Sequence, residues 1–138
     1  MKWTPEDLAR LTRAASRSPC KRLHVGCILR GTRKGTHYDF VAWNIPRADC
    51  NGLPGACGCV HAEVRAVTAM LSSMAPPCEA FDILLTDSPC IKCALVLADI
   101  AVRYEARLSV SYQRAYRLKD GVTALAARGY HVELLNPR

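Results

Sequence analysis

One imidazole, one carboxylate and two thiols stand in this 138-residue chain at a spacing that suits a metal-activated water. His61-Ala62-Glu63 supplies the first two, and Pro89-Cys90-Ile91-Lys92-Cys93, beginning 26 residues after Glu63, supplies the thiols. Zinc in catalytic sites takes three protein ligands and keeps a fourth position for water. His61, Cys90 and Cys93 are the expected ligands. Glu63, two residues past the imidazole, is the expected proton carrier. A fourth ligand from Glu63 would close the open position and make the site structural.

The elements that must position these groups follow from pattern. Thr4-Pro5-Glu6-Asp7 reads as an N-cap, a proline at the first helical position and acids in the first turn. Leu8, Leu11 and Ala15 recur at helical spacing, giving a helix to about Arg17. Leu23 to Arg30 reads as a strand with Val25, Cys27 and Leu29 on one face. Gly31 to Gly35 reads as a turn and Thr36 to Trp43 as the returning strand of a hairpin. Asn44 to Cys59 is a long loop rich in Pro, Gly and Cys. A second helix spans about Val60 to Ser73, a linker Met74 to Ala80, and a strand Phe81 to Thr86.

Pro89 suits the opening of a third helix, to about Val102, with Cys90 and Cys93 in its first turn, where the positive helix end favours thiolates. Arg107 to Tyr112 is the fourth strand, Leu118 to Arg128 a helix and Tyr130 to Leu135 the fifth strand. The helix between the last two strands makes them parallel. The expected fold is one α/β domain over residues 1–138: three α/β/α layers around a five-stranded mixed sheet, strands four and five parallel. In such a sheet, neighbouring parallel strands deliver the following helix N-termini to one edge, so His61 and Cys90 can converge.

Eight cysteines exceed what the catalytic set needs. A disulfide framework requires an export signal and an oxidising compartment, and the N-terminus lacks a signal peptide's apolar core. Cys20, Cys50, Cys57 and Cys59 could instead hold a second, structural zinc that pins the long loop, or be buried thiols. Cys27 reads as a core thiol and Cys78 as a surface one. No apolar run is long enough for a membrane span, so a cytoplasmic protein is the default expectation. The net charge of +7, with nine of the 19 Lys and Arg in the first 34 residues, favours an anionic partner. Solvated helix faces are the alternative for any one arginine.

The pattern H-x-E…P-C-x-x-C is a signature of zinc nucleobase deaminases, in which the glutamate shuttles protons without binding the metal. The chain resembles the deoxycytidylate (dCMP) deaminase branch of the cytidine deaminase superfamily over nearly its whole length. Val25-Gly26-Cys27-Ile28 is similar to the family's first strand. Tyr112, Tyr116-Arg117, Gly121 and Gly129-Tyr130 are similar to its C-terminal portion. The resemblance implies the cytidine-deaminase-like fold, catalytic zinc, and homo-oligomers, often hexamers, sometimes regulated by dCTP and dTTP. Asn44 stands where that branch contacts the sugar, the Ala62 N–H contacts the pyrimidine, and Tyr116 lies near the substrate. Cys20 and Cys50 match positions used for a structural zinc in some relatives. The expected substrate-binding set is Asn44, Ala62, Ser88, Tyr116 and Arg117, with Arg47, Lys92, Arg114 and Arg117 as unranked phosphate contacts.

Trp43-Asn44-Ile45-Pro46 lacks the glycines usual beside that asparagine and also resembles the tRNA adenosine deaminase branch, which carries further C-terminal helix. Three functions follow. The leading one is hydrolytic deamination of dCMP, or of a modified or more phosphorylated deoxycytidine nucleotide, to the deoxyuridine product and ammonia. The second is a polynucleotide deaminase acting on tRNA adenosine or single-stranded DNA cytidine, which needs a basic, aromatic channel. Here only 7% of residues are aromatic and the chain stops three residues after the expected fifth strand, so nucleic acid is not the expected partner. The third is a zinc-stabilised module without catalysis, which the presence of Glu63 opposes.

Overall fold

The computed structural model describes residues 3–46, 59–115 and 119–135. Helix α1 (Pro5–Ser16) starts at a capping box: the Thr4 hydroxyl accepts from the Asp7 N–H at 3.1 Å, and the Thr4 N–H donates to Asp7 Oδ2 at 2.9 Å. Its buried Leu11 presses on strand β1 (Gly26–Arg33), where a Cβ on Gly26 would come within 2.7 Å of the Leu11 carbonyl oxygen. Strand β2 (Thr36–Trp43) pairs antiparallel with β1 through the two-residue turn Lys34-Gly35, both with positive φ (49° and 81°). Such turns match the right-handed twist of the strands they join.

The expected turn at Gly31 to Gly35, and the strand ending at Arg30, are therefore corrected. Gly31 lies inside β1, because Cys78 Sγ and Phe81 occupy the space its side chain would fill. Cys78 is also corrected from surface to core, at 5% exposure.

Two short strands, β3 (Ile45–Pro46) and β4 (Cys59–Val60), pair antiparallel and clasp the ends of the segment read as one long loop. Helix α2 (Ala62–Leu71), strand β5 (Ala80–Asp87), helix α3 (Ile91–Arg103), strand β6 (Arg107–Arg114), helix α4 (Asp120–Ala127) and strand β7 (His131–Leu134) follow. The main sheet has the order β2-β1-β5-β6-β7. β1 is antiparallel to both neighbours, while β5–β6 and β6–β7 are parallel. The mixed five-stranded sheet and its parallel final pair agree with the sequence reading.

Alternation along β1 and β5 separates the layers. Cys27, Leu29, Ile83 and Leu85 face the larger core, shared with Ala66 and Val67 of α2, Leu97 of α3 and Leu125 of α4. Ile28 and Leu84 face Leu11 of α1. Central strands buried on both faces read as continuous apolar runs, as Ile83-Leu84-Leu85 does.

Candidate metal centre

The site lies where α2 and α3 begin. His61 and Cys90 occupy the N-cap positions of these helices, one residue outside the first helical turn. This corrects the expectation that Pro89 is itself the first helical residue: proline sets the chain's entry, and the thiol is the cap. Cys90 Sγ accepts from the Cys93 N–H at 3.5 Å. A sulfur placed there meets the unpaired N–H groups and positive end of the helix, which favour its anion.

His61 Nδ1 lies 3.1 Å from Cys93 Sγ and 3.5 Å from Cys90 Sγ. All three donor atoms fall within 4.8 Å of one another. Zinc bonds of about 2.0–2.1 Å to nitrogen and about 2.3 Å to sulfur, at tetrahedral angles, put donors roughly 3.5 Å apart. One imidazole and two sulfurs at this spacing fit zinc, with one coordination position left over. The cap residues give the triangle an open side: His61 is exposed and Cys90 half-buried, while Cys93 is buried.

The hydrogen bond from Cys93 holds the Cys90 thiol down to about 4, against burial and with help from His61. The same bond, with burial, pushes Cys93 upward, so the pair shares one proton. The bond to Cys90 raises His61, and burial opposes it. Glu63 is 4% exposed and lies in the first turn of α2. Burial pushes its carboxyl up to about 7, although its own N–H and the nearby His61 act downward. Cys27 of β1 sits beneath, its thiol raised by burial and by the Glu63 charge, which makes it the core thiol expected.

The other site residues are placed as follows. Asn44 is buried and anchors the loop: its Oδ1 accepts from the Val25 N–H at 2.9 Å, and its Nδ2 donates to the Leu23 carbonyl at 2.7 Å. Ala62 is fully buried as the first residue of α2, where backbone N–H groups have no intrahelical acceptor. Ser88 is buried at the carboxyl end of β5, and its N–H donates to the Arg114 carbonyl at 2.9 Å. Arg114, at the end of β6, reaches Asp87 at 3.3 Å, and Lys92 is exposed on α3. Cys20 is buried near enough to His61 to help raise its pKa, and Cys59 begins β4. Arg47, Cys50, Cys57, Tyr116 and Arg117 lie outside the described residues.

Two supports went unread in the sequence. The Gly26 N–H donates to Thr86 Oγ1 at 3.1 Å, and that hydroxyl donates to Asp87 Oδ2 at 2.9 Å, fixing the strand end just before Ser88-Pro89-Cys90. Polar residues closing an apolar run were its only signal. Gly121 packs α4 on the Pro89 and Cys90 main chain so closely that any Cβ would overlap both. A glycine in a first helical turn hints at such contact without naming the partner.

Residues 1–105 match the family model for the cytidine and deoxycytidylate deaminase zinc-binding region. No curated protein sequence matches the chain. Among solved structures, it is similar to the dCMP deaminase of cyanophage S-TIM5 in complex with dCMP and dUMP. That match has 25% identity and a TM-score of 0.70, over 97% of this chain and 100% of the other. The apo form of the phage enzyme aligns over 96% and 100% of the two chains, again with 25% identity, at a TM-score of 0.67. The Rib2 deaminase of Aspergillus oryzae in complex with DARIPP shares the fold, at 16% identity and a TM-score of 0.62, over 94% and 82% of the two chains.

Proposed function

The chain belongs to the cytidine and deoxycytidylate deaminase zinc-binding family, and from that premise we propose that it hydrolyses dCMP to dUMP and ammonia. The observation that carries the chemistry is the convergence of His61, Cys90 and Cys93 beside a buried Glu63 whose carboxyl is pushed up to about 7. The choice of substrate is supported by likeness to the phage dCMP deaminase over nearly the full length of both chains.

His61, Cys90 and Cys93 would hold zinc, whose Lewis acidity lets water act as a nucleophile near neutral pH. Glu63 takes one proton from water as its oxygen attacks the ring carbon bearing the amino group and, as the new hydroxyl becomes the product carbonyl, takes the second proton from it. It then returns protons to the ring nitrogen and to the departing ammonia. Burial raises the Glu63 carboxyl toward the working pH, the direction that suits a general acid–base catalyst. Ala62 presents its N–H to the pyrimidine from the start of α2, Ser88 and Asn44 are the proposed substrate contacts beside it, and the resemblance adds Tyr116 and Arg117, which lie outside the described residues.

Ammonia release from cytidine, dCMP, dCTP and 5-substituted dCMP, with tRNA and single-stranded DNA as further arms, tests the reading. Turnover of dCMP well above the others is expected; turnover of a polynucleotide alone would overturn it. A second zinc on Cys20, Cys50, Cys57 and Cys59 is proposed alongside, and two zinc ions per chain by elemental analysis would bear it out. Exposed Ile91, Leu95 and Val102 on the outer side of α3 support a homo-oligomer. A monomer by sedimentation would remove that proposal.

A further inference from the structure

Away from the metal centre, α1 and β2 border an open, shallow cleft of about 200 Å³ lined by Arg10, Arg13, Ala14, Arg17, Val41 and Trp43. None of these residues belongs to the His61, Cys90, Cys93 and Glu63 cluster. The three arginines, at helical spacings of three and four, line up on one face of α1. Asp39 answers the Arg10 charge at 2.9 Å, with Asp7 3.6 Å away. Arg13 and Arg17 have no carboxylate partner among the described residues. Like charges four apart on a helix repel, and concentrating them in a concavity raises the local concentration of anions.

The aromatic wall of the cleft is held still. Arg17 and Arg65 lie 5.3 Å and 5.1 Å from the Trp43 ring centre, and Arg65 Nη1 donates to the Trp43 carbonyl at 2.7 Å. Guanidinium groups match phosphate oxygens with paired N–H donors, and the indole stacked by Arg17 and Arg65 holds the Arg17 group in place beside the cleft. A cleft this size is smaller than the roughly 300–1,000 Å³ of sites that enclose a whole ligand. It suits a phosphate group with the rest of its carrier lying outside. We propose that the α1–β2 cleft is a phosphate-binding site separate from the catalytic centre, seating a phosphate between Arg13 and Arg17 beside Trp43.

Trp43 is one of only two tryptophans, so a Trp3→Phe background makes it the sole indole reporter. In that background, Trp43 fluorescence is titrated with inorganic pyrophosphate and, separately, with a single-stranded thymidylate oligonucleotide. Saturable binding is expected to weaken at least about tenfold in Arg13→Ala/Arg17→Ala, the loss of one charged hydrogen bond or more. Arg13→Gln, at an exposed position, serves as the milder second variant, and far-UV circular dichroism verifies both folds. Ammonia release from dCMP is measured in parallel and is expected to be unchanged, which keeps the outcome independent of the proposed reaction. Pyrophosphate binding identifies a free phosphate carrier. Oligonucleotide binding alone, with a steep salt dependence, identifies a polynucleotide backbone. No binding of either probe, or equal binding by wild type and both arginine variants, overturns the site.

Discussion

On the α1 side of the sheet, Arg30 lies between two carboxylates. Its Nε and Nη2 reach the two Asp39 oxygens at 2.7 and 2.8 Å, Nη2 also reaches Asp7 at 3.0 Å, and its guanidinium lies 4.7 Å from the Trp3 ring centre. At the start of α2, Glu63 is more deeply buried and has no arginine or lysine beside it among the groups that shift it. Burial pushes upward in all three carboxyls, and the outcomes differ. Asp7 and Asp39 end below the ordinary carboxylate range because hydrogen bonds from Arg30, joined by Thr4 or Arg10, outweigh burial. Glu63 ends near 7 because nothing outweighs it. A compensated charge is a structural fastening. An uncompensated one, beside a set of metal donors, is a group held ready to exchange protons.

The largest expected effect breaks the uncompensated side. Glu63→Gln keeps the shape and removes the exchangeable proton. It should lower kcat/KM for dCMP about 10³-fold, or about 4 kcal/mol of barrier, with zinc content unchanged. Elemental analysis beside the ammonia assay checks both halves. Near-wild-type turnover would show that Glu63 is merely a buried acid.

The compensated side should respond in the opposite sense. Arg30→Met leaves Asp7 and Asp39 facing each other with only the more exposed Arg10 to answer them and should cost about 3 kcal/mol of stability in chemical denaturation, while kcat stays close to wild type. The pH dependence follows in sign. Both aspartates have folded pKa values below their unfolded ones, so their contribution is complete above about pH 4. It is lost as pH falls through the folded values. The stability gap between wild type and Arg30→Met should therefore narrow as the pH falls below about 4; a gap that does not narrow would mean that packing against Trp3, rather than charge, makes the difference.

Gly121→Ala tests whether the metal centre depends on its packing. A Cβ there overlaps the Pro89 and Cys90 main chain, so α4 or the ligand turn must move. Overpacking of this kind costs about 1–3 kcal/mol. We expect weaker zinc retention against a chelator, because the displaced strand–helix turn carries Cys90. Unchanged zinc affinity with lowered stability would place the strain in α4 instead.

How far these regions could be read from sequence follows from the range of the contacts. The α1 cap and the two metal half-motifs were legible because each is set within four residues: a Thr with its Asp, a Cys with its Cys after a proline. The fold class was legible because alternating strands and helices leave few topologies. The Arg30 pairing was not, since Asp7 caps its own helix and its second partner lies 23 residues away. Gly31 was misread as a turn for the same reason: the sulfur that excludes its side chain belongs to Cys78. Asn44 anchors the loop through its hydrogen bonds, while resemblance implies a substrate role, and its residue type alone does not separate the two.

The smallest effect calibrates the rest. Asp99 and Arg103, four apart near the end of α3, pair at 3.4 Å with both side chains more than 60% exposed. Their order is favourable, and the arginine lies in the last turn, where the helix dipole welcomes a cation. Solvent nonetheless screens the pair, and Arg103→Ala should cost no more than about 0.5 kcal/mol in denaturant, with dCMP turnover unchanged. Arg30 and Arg103 each hold aspartate within hydrogen-bond range, so the ratio of the two losses isolates burial and bidentate geometry. Equal losses would mean that the Arg30 network is worth no more than a surface pair. The contrast with Glu63 would then rest on that residue's isolation alone.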